Sequence, residues 1–179
     1  MIQTVPSLAV SARTAVARAQ LAGLLGRCLR SLGRSGWRVT CRCADDRELR
    51  ALSRAFLGED RPSDVLAFPT RQDGGGPAHG SILGDLAISV ERAISQAEVA
   101  DRPPEDELRL LAVHGLLHLC GHDHDTAARA LAMTRATRRL LAADAARRDA
   151  AAPAVPALVP PATVGADEQR PVAAGADPG

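Results

Sequence analysis

The chain predicts a single α+β domain, in which a small mixed β-sheet packs with helices. Three observations carry this expectation. Strand signals are gathered before residue 90, and the clearest is "WRVTCRC" (37–43), with its strict alternation. Helical runs of Ala, Leu and Arg lie before and between those strands. From Pro103 to Arg148 the pattern is helical alone.

Taken in order, residues 2–10 read as a short strand and Ala12–Leu32 as one helix, stopped by Gly33 and Gly36. In 37–43, Trp37, Val39, Cys41 and Cys43 share one side and Arg38, Thr40 and Arg42 the other, a half-buried strand that makes both cysteines core residues. Asp45 or Asp46 caps the next helix, whose apolar stripe is Leu49, Leu52 and Phe56 and whose stop is Gly58. "SDVLAF" (63–68) and "SILGDLAIS" (81–89) are strands, joined by the loop "RQDGGGPAHG" (71–80). Ser89 caps a helix over 90–100. "DRPPEDEL" opens the following helix, with prolines early and acids in the first turn, and Gly121 ends it. Asp125 or Thr126 opens the last helix, to about Arg148. The domain is therefore placed at 1–148. Residues 149–179 hold six of the 12 prolines without apolar periodicity and read as a disordered Ala/Pro-rich tail.

Net charge is +1 but unevenly spread: residues 1–72 carry 12 Arg against six acids, while the remainder carries 10 Arg against 15 acids. A basic first half suits phosphates, or simply solvates helix faces. Arg47, Arg50, Arg54 and Arg61 are the candidate phosphate contacts of that half. The four cysteines, Cys28, Cys41, Cys43 and Cys120, form no C-x-x-C pair. With no membrane span and no signal-peptide pattern, the expectation is a reduced, cytoplasmic protein.

"VHGLLHLCGHDHD" (113–125) holds four of the five histidines. His114 and His118 are four apart and lie on one helical face. Gly121 permits a sharp left-handed turn that brings His124 back to the same point. Three converging imidazoles form a zinc site with an open fourth position, and three neutral ligands leave the ion its full charge for hydrolytic chemistry. A closed structural site would need a fourth ligand. His122 and His79 are candidates, whereas Cys120, two residues beyond His118, points away.

The spacing matches H-E-x-x-H-x-x-G-x-x-H, the metzincin pattern, but Gly115 stands where the peptidase has its glutamate base. Glycine cannot take a proton, and no methionine turn is apparent, so the residues point to a metal site with a substrate other than peptide.

His114-Gly115-Leu116-Leu117-His118-Leu119-Cys120-Gly121-His122-Asp123-His124 resembles the signature H-G-x-L-H-L-x-G-Y-D-H of the YbeY family of bacterial metal-dependent endoribonucleases, with His122 in place of Tyr. "DRPSDVLAFP" (60–69) and "LGDLAIS" (83–89) are similar to two further motifs of that family, in the same order. The resemblance implies one zinc ion on His114, His118 and His124. It also implies single-strand-directed RNA cleavage in ribosomal RNA maturation, including the 3′ end of small-subunit (16S) RNA, and in ribosome quality control. It places Asp123 as a residue that orients an imidazole and Asp85 as a cleft residue, each with a cap or turn role as the alternative. The implied partners are single-stranded RNA, ribosomal RNA and the ribosome, with no membrane and no DNA. Histidine is the residue type suited to relaying a proton, so His122 is a candidate relay, or it is an exposed residue favoured near a helix C-terminus.

Two departures stand out. Leu57 replaces the arginine of the family's Y-R-x-x-D-x-P context, and "TAARALAMTRATRR" (126–139) has no acids where the family tends to place them. The expected activity is RNA phosphodiester hydrolysis. A ribosome-associated RNA-binding protein with a structural zinc is the alternative.

Overall fold

The computed structural model describes residues 1–4, 8–61, 63–70 and 82–151. Strands β1 (Ile2–Thr4), β2 (Arg38–Ala44), β3 (Val65–Pro69) and β4 (Ile82–Ser89) form one sheet in the order β1-β2-β4-β3. β1, β2 and β4 run parallel, and β3 is antiparallel to β4 on the edge, so the sheet is small and mixed as expected. The loop that joins β3 to β4, with His79, lies outside the described residues, as does the segment 152–179.

The alternation in β2 places Val39, Cys41 and Cys43 in the core, with both cysteines 0% exposed. The helices are α1 (Val10–Ala19), α2 (Leu21–Ser31), α3 (Asp46–Leu57), α4 (Val90–Val99), α5 (Pro104–Leu119) and α6 (Ala127–Ala151). Local capping follows the sequence. Asp45 accepts from the Glu48 amide at 2.9 Å and Ser89 from the Arg92 amide at 3.1 Å. Pro104 opens α5, with Glu105, Asp106 and Glu107 in the first turn.

Three expectations are corrected. The stretch expected as one helix over Ala12–Leu32 is two, broken at Gln20, which is left-handed at φ 49°. The break turns the Ala19 carbonyl toward the buried Arg109, whose guanidinium donates to it at 2.7 Å. The first strand ends at Thr4 rather than reaching residue 10, where α1 has already begun. Phe56 does not join the core: it is 66% exposed, because α3 covers only part of the sheet's outer face, and its ring rests on Phe68 at 5.0 Å.

α5 is the hub. It touches α1, α2, α4, α6, β3 and β4. Leu108, Ala112, Val113, Leu116 and Leu117 are all 0% exposed, as expected of a helix buried nearly all round. Its approach to the sheet is close. A Cβ on Gly115 would lie 2.9 Å from both the Leu86 and the Val65 side chains. Gly84, at φ 152°, likewise faces the Phe68 carbonyl and Leu119 with no room for a side chain.

The far end of α5 is tied by charge. Asp144 of α6, 2% exposed, accepts from Arg27 of α2, Arg109 of α5 and, at 3.2 Å, Arg148. Arg109 is itself 2% exposed, so the pair has little solvent to fall back on. Replacing Asp144 by Ala strands the Arg109 charge and is expected to cost about 3–5 kcal/mol in a urea-denaturation measurement. A loss below about 1 kcal/mol would show that the cluster does not hold α2, α5 and α6 together.

Candidate metal centre

Between Leu111 and Leu119 every residue of α5 is buried except His114 and His118, which are half-buried. They share the one stripe of the helix that reaches solvent, because their spacing is one helical turn. α5 then stops. Cys120 is its C-cap, Gly121 takes φ 87°, and the His122 amide donates back to the Leu117 carbonyl at 3.0 Å. A Cβ on Gly121 would meet nothing within 4 Å, so the glycine is there for its backbone angle alone.

That turn returns the chain, and His124 meets the other two rings. The ring centroids are 4.9 Å apart for His114–His118, 5.1 Å for His118–His124 and 5.8 Å for His114–His124. One nitrogen from each ring lies within 4.8 Å of the other two, which places all three in reach of a single ion. Among the described residues no Cys, Asp or Glu joins this group.

The electrostatics suit metal ligation, which requires neutral imidazole. Burial is the main influence that holds His114 and His118 below the ordinary imidazole value of 6.5, and neighbouring histidines push both the same way. Asp64 opposes this at His114. The sequence pattern gives Asp64 no role, although it stands in the "SDVLAF" motif. Its carboxylate accepts from the Val65 amide at 2.8 Å and from Gln96 at 3.3 Å, which fixes a negative charge near His114. A hydrogen bond to the His122 backbone and the charge of Asp123 favour the protonated form of His118 more weakly than burial opposes it.

Asp123 accepts from the His124 amide at 2.8 Å, so it sets the path of the turn that carries this ligand. His122 is exposed and lines a cleft of about 550 Å³ with His118, Asp123, Leu57 and Arg61. The wall of that cleft is edge strand β3. Leu57 therefore occupies the cleft rim, where it presents an apolar side chain.

Of the other expected site residues, Arg61 lines this cleft, and Asp85, Arg47, Arg50 and Arg54 do not. Asp85 is exposed on β4 and lines a separate pocket with Thr40, Arg42 and Phe56, on the α3 side of the sheet. Arg50 and Arg54 both donate to Asp60, at 2.7 Å and 3.1 Å, and together they hold its carboxyl down at about 2. Arg61 donates to Glu59 at 2.9 Å. Arg47 is exposed on α3 and does not line the cleft.

Gly115 acquires a physical explanation. The peptidase glutamate position faces Leu86 and Val65 of the sheet, and a Cβ there would come within 2.9 Å of a methyl of each. A side chain at this position would require those methyl groups to shift.

Known proteins resemble this chain on both counts, sequence and fold. Residues 10–144 match the family described as Endoribonuclease YbeY. Among relatives named Endoribonuclease YbeY, that of Halorhodospira halophila is 41% identical over 112 residues, which is 62% of this chain and 72% of the relative. That of Moorella thermoacetica is 40% identical over 116 residues, 62% of this chain and 74% of the relative. That of Thermus thermophilus is 48% identical over 88 residues, 48% of this chain and 61% of the relative. A Thermotoga maritima protein solved in solution shares the fold with a TM-score of 0.50 at 20% identity, covering 88% of this chain and 99% of its own. With its three histidines set on a buried helix and a glycine turn, and with the family match spanning 10–144, the chain belongs to the YbeY family.

Proposed function

We propose that this chain is a metal-dependent endoribonuclease that cleaves single-stranded RNA and carries one zinc ion on His114, His118 and His124. The observation that supports the reading most is the meeting of three imidazole nitrogens within 4.8 Å beside an open cleft, in a YbeY-family chain. The donor set fits zinc: three nitrogens, two of them held neutral by burial, with no fourth side chain among the described residues. A bound zinc ion supplies a Lewis acid for a phosphodiester oxygen and acidifies water.

The chain's own residues supply the rest. Arg61 lines the same cleft as His118; its Nε is taken by Glu59, which lowers its net charge but leaves its terminal N–H groups for a single phosphate oxygen. The exposed His122 ring is placed to hand a proton to, or take one from, an oxygen of the substrate. Asp123 keeps His124 on its path. The proposed catalytic unit is residues 1–148, with 149–179 as an Ala/Pro-rich tail. The proposed setting is the cytoplasm, with ribosomal RNA and the ribosome as partners, in 16S 3′-end maturation and ribosome quality control. Among the described residues no helix is long and apolar enough to cross a membrane.

The second reading, an RNA-binding protein with a structural zinc, is favoured by Leu57 at the cleft rim. Incubating purified protein with single-stranded RNA, with and without chelator, separates the two. Cleavage that stops on chelation while circular dichroism is unchanged is the expected result. RNA left intact by fully zinc-loaded protein would favour the binder. His118→Ala is expected to abolish cleavage and drop the metal content well below one per chain. Asp123→Ala is expected to weaken metal binding about 10–100-fold.

The pH dependence follows from the depressed histidines. In metal-free protein the unfolded chain takes up protons near pH 6.5, whereas His114 and His118 in the fold stay neutral to lower pH. Their contribution is therefore complete above that value and is lost as pH falls through it. The melting temperature should drop between about pH 7.5 and about pH 5.5, and should drop less in the His114→Asn/His118→Asn variant. An equal drop in both proteins would show that these rings do not titrate below the ordinary range.

A further inference from the structure

The first half of the chain was expected to supply the basic surface, but its arginines on and after α3 are largely neutralised. Asp60 engages Arg50 and Arg54, and Glu59 engages Arg61. An arginine already matched by a carboxylate contributes little net charge to a polyanion. Exposed arginines without such a partner among the described residues are scattered, at Arg18, Arg30, Arg38 and Arg47, and on α6 several share one helix face.

α6 is a single helix of 25 residues, about 37 Å long. Its inner stripe is Met133, Thr137, Leu140 and Asp144, all buried. Directly opposite lie Arg135, Arg138 and Arg139, all exposed and with no ion pair to any described residue. Arg147 is exposed further along. Of the acids on α6, Asp144 is buried beneath the helix and committed to Arg27, Arg109 and Arg148, so it cannot screen the outer face. Asp149 lies near the C-terminal end, beyond Arg147. Next to the outward arginines are small side chains, Ala132, Ala142 and Ala146, all exposed, which leave the guanidinium groups unobstructed.

α6 starts at Ala127, three residues after His124, so the helix leads away from the candidate metal centre. Arg129 in its first turn is matched by Asp125 at 3.0 Å, and the unmatched arginines begin further along at Arg135. Guanidinium forks match phosphate oxygens. A membrane surface is the poorer fit, because the apolar side of α6 is already buried in the core and cannot enter lipid.

We infer that the outer face of α6, through Arg135, Arg138 and Arg139, binds the phosphate backbone of single-stranded RNA and extends the cleft beyond the metal centre. The inference rests on the reading of this chain as an RNA-acting protein. It makes substrate length matter: RNA too short to reach from the cleft to Arg135 should bind less tightly than longer RNA.

The test compares full-length protein with Arg135→Ala/Arg138→Ala/Arg139→Ala and with Arg47→Ala/Arg50→Ala/Arg54→Ala. Binding of a fluorescent oligouridine is followed by anisotropy across a salt series, without added metal, and cleavage is measured separately with zinc. Alanine is the best helix former and all three α6 positions are exposed, so the fold should survive, with circular dichroism as the check. Each lost phosphate contact on a single strand lowers the slope of log K against log salt by about 0.7, so the α6 variant should lose about 2. If the two proteins converge near 1 M salt, that slope change corresponds to about a hundredfold weaker binding at about 0.1 M salt. The α3 variant should change the slope by less than half as much.

An unchanged slope in the α6 variant would overturn the inference, even if the protein cleaves RNA. Equal losses in both variants would also overturn it, because the effect would then be one of total charge. So would wild-type binding to phosphatidylglycerol vesicles that depends on the three arginines while RNA binding does not. Arginine-dependent RNA binding without cleavage would uphold this surface and count against the endoribonuclease reading. Absence of RNA binding by the wild-type protein would overturn both.

Discussion

The site depends on how closely α5 lies against the sheet. Gly115 leaves no space for a Cβ between the helix and the side chains of Leu86 and Val65, and Gly84 closes the same interface from β4. Burial of α5 on the sheet and among four other helices holds its axis rigidly. Only then does a single stripe emerge, with His114 and His118 half-buried along it and His118 lining a solvent-facing cleft. The same close approach separates this centre from zinc peptidases. The position that holds their base is here packed against strands.

A second constraint acts from the opposite end of the helix. The buried Asp144 pairs with three arginines, the buried Arg109 of α5 and the partly exposed Arg27 of α2 and Arg148 of α6. Buried charge is expensive unless matched, and here it is matched several times over. The arrangement ties the last helix to the motif helix and leaves the outward arginines of α6 without a nearby counter-charge. The α3 surface is the reverse, with Asp60 and Glu59 engaging its neighbours' guanidinium groups. Two surfaces of similar arginine content thus differ in net charge because of where the acids fall.

The turn after α5 shows how little is needed to add the third ligand. Gly121 supplies the backbone angle, the His122 amide closes the turn on Leu117, and the Asp123 carboxylate caps the His124 amide. Each of these contacts spans at most five residues. The three-histidine group is therefore built from local geometry, and the rest of the fold supplies the burial that favours the neutral form of His114 and His118.

That distinction separates what the sequence alone determined from what folding decided. Helical spacing and a glycine turn operate over one or two turns of chain, so the meeting of His114, His118 and His124 was legible in the residues themselves. So were the alternation of β2, the caps Asp45 and Ser89, and the proline start of α5. The tertiary structure decided everything that depends on distant neighbours. It broke the first helix at Gln20, where Arg109, 90 residues from Ala19, takes the freed carbonyl. It left Phe56 on the surface, put Asp85 on the face away from the histidines, and paired Arg50 and Arg54 with Asp60. Charge compensation and sheet face depend on which segments are brought together, and no local pattern contains that information.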